Sequence, residues 1–295
     1  MINRNIKVLL LGSTGLLGSS LGPLLDSSGY SVKTHSRSKG AQYEADLSDL
    51  KQASDLLDKI QPEIVVNLIG LTDVDQCESQ PHQAYLANVR VVENIAGWIQ
   101  QNKSDCHLVH ISTDQVYDGT GPHVEDQVTL TNYYAFSKYA GELAAGSVKS
   151  TILRTNFIGR SHCPNRVSLT DWLHQSLMKN DALQVFEDVL FNPLSMYTLS
   201  KMIELVIQRR PIGVFNLGSK VGMRKSDFAF SFANEINCET RTMTRVRTDQ
   251  VTFLKTYRPK DMRMNCVKIE NYLSVQLPKL SDEIKRVAKE YHETA

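Results

Sequence analysis

The chain has 295 residues, of which 41% are hydrophobic and 22% charged, with a formal net charge of +1. At ~150 residues per domain, that length holds a large core and about two domains, and a charge this close to zero gives no attraction for nucleic acid or an acidic membrane. Five scattered cysteines (Cys77, Cys106, Cys163, Cys238, Cys266) form no Cys-x-x-Cys pair, which argues against a disulfide framework or zinc site and for free thiols in a reducing cytosol. Arg4 and Lys7 precede an uncharged run from Val8 to Leu25, superficially like a signal peptide. Gly-Ser-Thr-Gly, Gly18, Gly22 and Pro23 interrupt it too soon for a secretory core or a membrane span.

In chain order, short β-branched or leucine-rich runs alternate with amphipathic stretches. Strands are expected at Lys7–Leu11, Ser31–His35, Ile64–Asn67, His107–Ser112 and Thr151–Asn156. Helices are expected at Leu16–Ser27, Leu50–Lys59, Ala84–Gln101 and Tyr134–Ala145. That alternation predicts an α/β protein, a Rossmann-type, doubly wound parallel sheet with right-handed crossovers. After Asn156 the rhythm loosens: helix Ser168–Lys179, strand Ala182–Phe186, helix Tyr197–Gln208, strand Gly213–Asn216, then an α-rich tail ending near Leu280–Tyr291. No repeat, low-complexity tract or long linker separates the regions, so a smaller α-rich substrate-binding domain (about 157–188 plus 220–295) is expected to interleave with a dinucleotide-binding domain (1–156 plus about 189–219).

The first strand runs into Gly12-Ser13-Thr14-Gly15-Leu16-Leu17-Gly18. In such a motif the first glycine makes the tight turn, the second admits a pyrophosphate to the backbone, and the third lets helix and strand pack closely. The helix N-terminus then offers unpaired N–H groups to phosphate. A carboxylate ending the second strand would bind the ribose hydroxyls of NAD. The chain instead reads Ser36-Arg37-Ser38-Lys39, cations suited to a 2′-phosphate, so NADPH is expected over NADH. Asp46-Leu47, one short strand on, is placed to meet the adenine, with the carboxylate accepting from its amino group.

The fourth long strand ends in Ser112-Thr113-Asp114-Gln115, and Tyr134-Ala135-Phe136-Ser137-Lys138 opens the following helix. The i, i+4 spacing sets Tyr134 and Lys138 on one helix face. Reducing a carbonyl needs a proton on oxygen as hydride reaches carbon. A phenol with a pKa near ~10 becomes a usable donor when a neighbouring cation favours its ionised form. Lys138 supplies that charge and can hold the nicotinamide ribose, while Thr113 can hydrogen-bond the substrate oxygen. Tyr133 pairs only with Ser137 and reads as packing or a substrate wall.

These residues resemble the extended short-chain dehydrogenase/reductases and, within them, the branch of the dTDP-4-dehydrorhamnose reductases. The matching blocks are Gly12–Gly18, Asn67-Leu68-Ile69-Gly70-Leu71-Thr72-Asp73-Val74-Asp75-Gln76-Cys77-Glu78, Asn88, Ser112-Thr113-Asp114, Tyr134–Lys138 with Gly141-Glu142, Arg154-Thr155, and Arg258-Pro259. The resemblance implies NADPH-dependent reduction of the C4 ketone of a nucleotide-activated 4-keto-6-deoxyhexose, in deoxysugar or cell-surface polysaccharide synthesis. It implies Thr113, Tyr134 and Lys138 as the catalytic set. Ile69, Gly70, Thr72 and Asn88 then join Gly12, Thr14, Gly15, Leu16, Leu17, Gly18, Arg37, Asp46 and Leu47 as cofactor-binding residues. Thr113, Asp114, Phe157 and Arg258 would bind substrate. The departures fall on the substrate side: Phe157 where the family often has Trp, Asp188-Val189-Leu190-Phe191-Asn192-Pro193-Leu194 keeping only the Asp and Pro of its block, and Met262 at a serine position.

Three rival readings remain. Dehydratases of this fold carry a Glu where Gln115 stands, and Gln115 cannot ionise. A reductase/epimerase acting on another nucleotide sugar needs an added acid/base pair, and Cys106, His107 and His110 read as strand or loop residues instead. A non-catalytic NADP-binding regulatory subunit would usually have lost part of the catalytic set. Apart from the nucleotide-sugar substrate, the expected partner is a second copy of the chain in a homodimer, with no metal, nucleic acid or membrane.

Overall fold

The computed structural model describes residues 6–102, 105–164 and 166–292, so Arg4 lies outside the described residues. Two units of near-equal length emerge. The first comprises Met1–Thr113, Asn132–Arg154 and Ser200–Phe215; the second comprises Asp114–Thr131, Thr155–Leu199 and Asn216–Ala295. The interleaving is finer than the sequence suggests: 114–131, 189–199 and 216–219 belong with the second unit, which is therefore not a small appendage. Segment 114–131 carries no long apolar run of its own, so only its tertiary packing shows where it belongs.

In the first unit, strands β1 (Lys7–Leu11), β2 (Ser31–Ser36), β3 (Tyr43–Glu44), β4 (Ile64–Asn67), β5 (His107–Thr113) and β6 (Ser150–Thr155) join Gly213–Leu217 in one sheet. The order is Gly213–Leu217, β6, β5, β4, β1, β2, β3. β1 pairs in parallel with both β2 and β4, so the chain reverses direction across the sheet between β1 and β4, where doubly wound folds open their ligand crevice. Val8, Leu9, Leu10 and Leu11 are fully buried, which is why β1 reads as a continuous apolar run rather than an alternation. Helices α1 (Leu16–Ser27), α2 (Leu50–Ile60), α3 (Val74–Ser79), α4 (Pro81–Tyr85), α5 (Val91–Gln101) and α6 (Tyr133–Ala145) cover it. Leu57, Ile95, Trp98 and Leu108 share a core with Leu9 and Leu11, each large side chain stabilising the fold by about 1.5–3 kcal/mol.

The single helix expected over 84–101 is three pieces: α4, a π-helical turn at Leu86–Arg90, and α5. An apolar periodicity alone does not reveal the extra residue that a π turn takes up.

The second unit packs α7 (Leu169–Met178), the start of α8 (Met196–Arg209), α9 (Lys225–Glu235), α10 (Val267–Leu273) and α11 (Leu280–His292) with short strand pairs. Leu183–Phe186 runs parallel to Met243–Val246, and Leu190–Phe191 antiparallel to Met223–Arg224. Phe191, Phe228, Phe232 and Tyr291 form its apolar centre, with Phe191 edge-on to Phe228 at 5.4 Å. Met262 is buried in the same cluster, so a thioether at this position serves packing.

Candidate active site

The glycine turn is held by one carbonyl. His35 O accepts from Gly12 N and Ser13 N, both at 3.0 Å, and from Ser13 Oγ at 3.1 Å. Gly12 sits at φ +76°, and a Cβ there would meet the backbone of Leu68 at 3.2 Å; a Cβ on Gly18 would fall 2.5 Å from Gly12 O. These two positions need glycine, the first for its backbone and the second for its closeness to the turn. Gly15 caps α1 without a side chain, and the first turn holds no acid, leaving its N–H groups and partial positive charge for an anion. Thr14 is exposed beside the turn, Leu16 half-buried and Leu17 buried, so Leu17 offers only backbone.

At the end of β2, Arg37 and Lys39 are exposed. Asp46 accepts from Ser48 N at 3.0 Å and Ser48 Oγ at 2.7 Å. The Ser48 hydroxyl, with further help from Arg37, holds its carboxyl below the usual range. Leu47 corrects the sequence reading for its side chain. That side chain lies in the core at 2% exposure and its carbonyl accepts from Asn94 Nδ2, so, like Leu17, it offers only backbone.

The loop after β4 is fastened from below. Asn67 Oδ1 accepts from Ile69 N at 3.0 Å, while Asn67 Nδ2 donates to His110 Nδ1 at 3.2 Å. His110 is thereby a neutral imidazole, and burial holds its pKa far below the ordinary value. Asn88 also departs from expectation. Its Oδ1 accepts from Leu71 N at 2.8 Å, and its Nδ2 donates to Leu71 O at 3.0 Å and Ser137 Oγ at 2.9 Å. Both amide hydrogens are committed, so Asn88 clamps the loop to α6 rather than donating to a cofactor. The π turn is what brings Asn88 inside, at 0% exposure. Gly141 completes the fit, since a Cβ there would meet Asn88 O at 2.3 Å. Ile69 is half-buried against the core and Thr72 exposed.

The rest of the 67–78 block is also structural. Asp73 caps α3 by accepting from Gln76 N. Glu78 accepts from Tyr133 N at 3.0 Å, and Asn132 from Ala135 N at 2.8 Å; together they fix the start of α6.

On α6, Tyr134 is 5% and Lys138 4% exposed, and Thr113 ends β5 at 5%. Lys138 Nζ donates to Ile111 O at 2.7 Å, and a Cβ on Gly70 would come within 3.7 Å of that ammonium. Burial pulls the Lys138 pKa down to about 8, with Glu142 and Cys77 pulling it back. One helical turn on, Glu142 takes Arg154 Nε at 2.9 Å and Nη2 at 2.6 Å, with Ser112 Oγ at 2.5 Å. This buried group ties α6, the helix that carries Tyr134 and Lys138, to β5 and β6. Tyr133 is half-buried against Val74, Cys77 and Ala84, a packing residue.

In the second unit, Asp114 is 1% exposed and accepts from Asn156 Nδ2 at 2.7 Å. Phe157 is half-buried in a two-residue strand paired with Leu194. Arg258 is half-buried, and its Nη1 donates to Thr256 O at 2.8 Å. Asp188 accepts from Lys260 Nζ at 2.8 Å and from the Thr248 hydroxyl, so this aspartate holds loops together. Among the described residues no group of His, Cys, Asp and Glu could hold a metal ion, and no helix is long and apolar enough to cross a membrane.

The RmlD substrate binding domain family matches residues 6–293. A probable low-salt glycan biosynthesis reductase of Haloferax volcanii is 25% identical, covering 92% of this chain and 94% of its own. A dTDP-4-dehydrorhamnose reductase of Sinorhizobium fredii is 28% identical, with 77% of this chain and 79% of its own covered. The solved structure of a dTDP-4-dehydrorhamnose reductase from Bacillus anthracis in complex with NADP superimposes with a TM-score of 0.87 at 22% identity, over 99% of this chain and 100% of that one. With its glycine turn, Tyr134-x-x-x-Lys138 pair and family match along nearly the whole length, the chain belongs to the RmlD substrate binding domain family.

Proposed function

We propose that this protein is an NADPH-dependent reductase of the C4 ketone of a nucleotide-activated 4-keto-6-deoxyhexose, working in the cytoplasm in deoxysugar or polysaccharide synthesis. The observation that carries the reading is Lys138, a desolvated ammonium on the same helix face as Tyr134, fixed to Ile111 O and lying beside the Gly70 backbone. NADPH, when bound, supplies the hydride. The chain's own residues do the rest. Gly12, Gly15 and Gly18 let the backbone of the turn and the start of α1 come close to the pyrophosphate, with Thr14 and Leu16 beside them. Arg37 reads the 2′-phosphate, and Asp46 accepts from the adenine amino group through its remaining carboxylate oxygen.

Thr113 holds the ketone oxygen, and Tyr134 gives it a proton from its phenol. The positive charge on Lys138 stabilises the phenolate left on Tyr134. Ile69, Gly70 and Thr72 form the wall for the nicotinamide. Asp114, with one oxygen on Asn156, accepts from a sugar hydroxyl, Phe157 lines the sugar, and Arg258 reaches the diphosphate. The named relatives, a dTDP-4-dehydrorhamnose reductase and a glycan biosynthesis reductase, support this substrate class.

The test is NADPH oxidation followed by absorbance with a dTDP-linked 4-keto-6-deoxyhexose. Wild type should turn over, while Tyr134→Phe should keep its affinity for NADPH and lose roughly 100-fold or more in kcat, the usual scale of positioned acid catalysis. A wild-type protein that binds NADPH tightly yet reduces no nucleotide-linked keto sugar would be the regulatory subunit instead.

A further inference from the structure

In the second unit, helix α11 braces the stretch that carries Phe157. The strand Phe157–Ile158 is two residues long and pairs in parallel with Leu194–Ser195, which is equally short. So brief a pair holds little position of its own. Gly159 follows at φ +139°, a backbone that glycine adopts freely and that adds no stiffness. What fixes Phe157 must therefore come from outside its strand.

α11 supplies it from one face. Glu283 and Glu290 lie two helical turns apart and so point the same way. Glu283 is 1% exposed and accepts from Ser195 N and, at 2.9 Å, from Thr198 Oγ1. Glu290 is half-buried, and its Oε2 accepts from Arg160 N at 2.7 Å. Arg160 Nη1 in turn donates to Glu290 O at 3.0 Å, a last-turn carbonyl without a partner inside the helix. A Cβ on Gly159 would lie 3.5 Å from Glu290 Oε2. Next along the helix, Tyr291 Oη donates to Asp171 Oδ1 at 2.7 Å, and Asp171 Oδ2 accepts from Ser161 N at 3.0 Å. One glutamate thus holds the partner strand and the other the turn that leaves Ile158, each by a charge-assisted bond from a backbone N–H.

We propose that α11 is the positioning element of the substrate wall, with Glu283 and Glu290 as positioning residues that keep Phe157 and the neighbouring Asn156 where the sugar meets them. The assignment rests on the substrate class proposed above. Both glutamates act through backbone without touching substrate, so their effect belongs in KM rather than kcat. Burial raises the Glu290 pKa, with the Arg160 N–H pulling it back. Facing it are Arg160 and His162 from the turn and Asp171 from α7, with the His174 ring 4.8 Å from that of Tyr291. On α11 itself Arg286 sides with Glu283. Protonation leaves Glu290 a neutral acceptor with a weaker hold, so KM rises as pH falls through that raised pKa.

Steady-state kinetics of the full chain with a dTDP-linked 4-keto-6-deoxyhexose tests this, with NADP⁺ affinity followed by calorimetry. Glu290→Ala should raise the KM for the nucleotide sugar roughly tenfold, the scale of one charge-assisted hydrogen bond, and leave kcat and NADP⁺ affinity nearly unchanged. Glu290→Gln keeps a neutral acceptor of the same shape and guards against an Ala variant that folds poorly. It should show at every pH the raised KM that wild type shows only at low pH. An unchanged KM in Glu290→Ala would overturn the assignment. So would a Glu290→Gln profile that still slopes like wild type, which would give the titration to His162 or His174. A parallel loss of kcat and NADP⁺ affinity in both variants would make α11 a general support of the fold and overturn it too. Wild type that neither binds nor reduces a nucleotide-linked keto sugar removes the substrate class and this assignment with it, a different result from an active wild type whose Glu290 variants keep its KM.

Discussion

In the first unit Arg154 lies at 2% exposure, gripped through Nε and Nη2 by a Glu142 that is equally buried, while in the second unit Arg258 is half-buried and its Nη1 donates to Thr256 O at 2.8 Å. The first arrangement satisfies itself: carboxylate, guanidinium and the Ser112 hydroxyl use one another's hydrogen-bonding capacity. The second leaves the guanidinium partly exposed. Groups that a fold uses to hold itself together tend to be fully paired, because an unpaired buried charge costs several kcal/mol. A partly exposed cation is open instead to chemistry the chain itself does not complete. Lys138 lies between the extremes, with one hydrogen bond to Ile111 O and a pKa of about 8.

The largest expected effect breaks the satisfied side. Arg154→Met strands the Glu142 carboxylate and should cost about 3–5 kcal/mol of stability, read as a lower midpoint in denaturant unfolding. Adding Glu142→Leu should recover a good part of that loss, because the buried charge goes with its partner. A double variant no more stable than the single one would show that the cost lies in packing around Ser112 and Tyr139, whose ring centre lies 5.9 Å from the Arg154 guanidinium.

The half-buried arginine should respond through affinity instead. Arg258→Ala should raise the KM for the nucleotide sugar several-fold, leave NADPH affinity unchanged and barely move the unfolding midpoint. A large stability loss with KM unchanged would place Arg258 among the structural cations with Arg154.

The smallest effect is the most diagnostic for Lys138. Its folded pKa of about 8 lies below the usual lysine value. Between about pH 8 and ~10.5 the unfolded chain therefore holds a proton that the folded chain has lost, and this group's contribution to stability rises with pH across that window. Activity should run the other way, since kcat/KM follows the free enzyme and falls as Lys138 loses the charge that supports Tyr134. Opposite trends in the two profiles, both absent from Lys138→Met, identify the group; parallel trends would assign the titration elsewhere.

Much of the first unit was legible as sequence because its signals are local. Runs such as Val8–Leu11, the Gly12–Gly18 turn and the Tyr134-to-Lys138 spacing fall within one strand, turn or helix, where backbone geometry and periodicity alone dictate side-chain direction. The same local logic found α1 at Leu16–Ser27 and α11 within a residue of its end. It failed where the answer depended on what packs across a gap. The split of 84–101 by a π turn, the inward Asn88 and the Gly141 that admits its carbonyl are one packing decision among three segments far apart in sequence. Leu47 was assigned to the cofactor beside Asp46, and only the core shows that its side chain points inward.

By itself, then, the sequence determined the doubly wound first unit, the glycine turn and the placement of Tyr134 and Lys138 on one helix, each written in contiguous residues whose spacing has a direct geometric meaning. Only the tertiary structure decided that 114–131 joins the second unit, that Glu78 and Asn88 are supports for α6 and its neighbouring loop, and that Glu142 is paired with Arg154 in the core. No propensity or periodicity carries such information, because a charge acquires a partner, or lacks one, through which distant segments the core draws together.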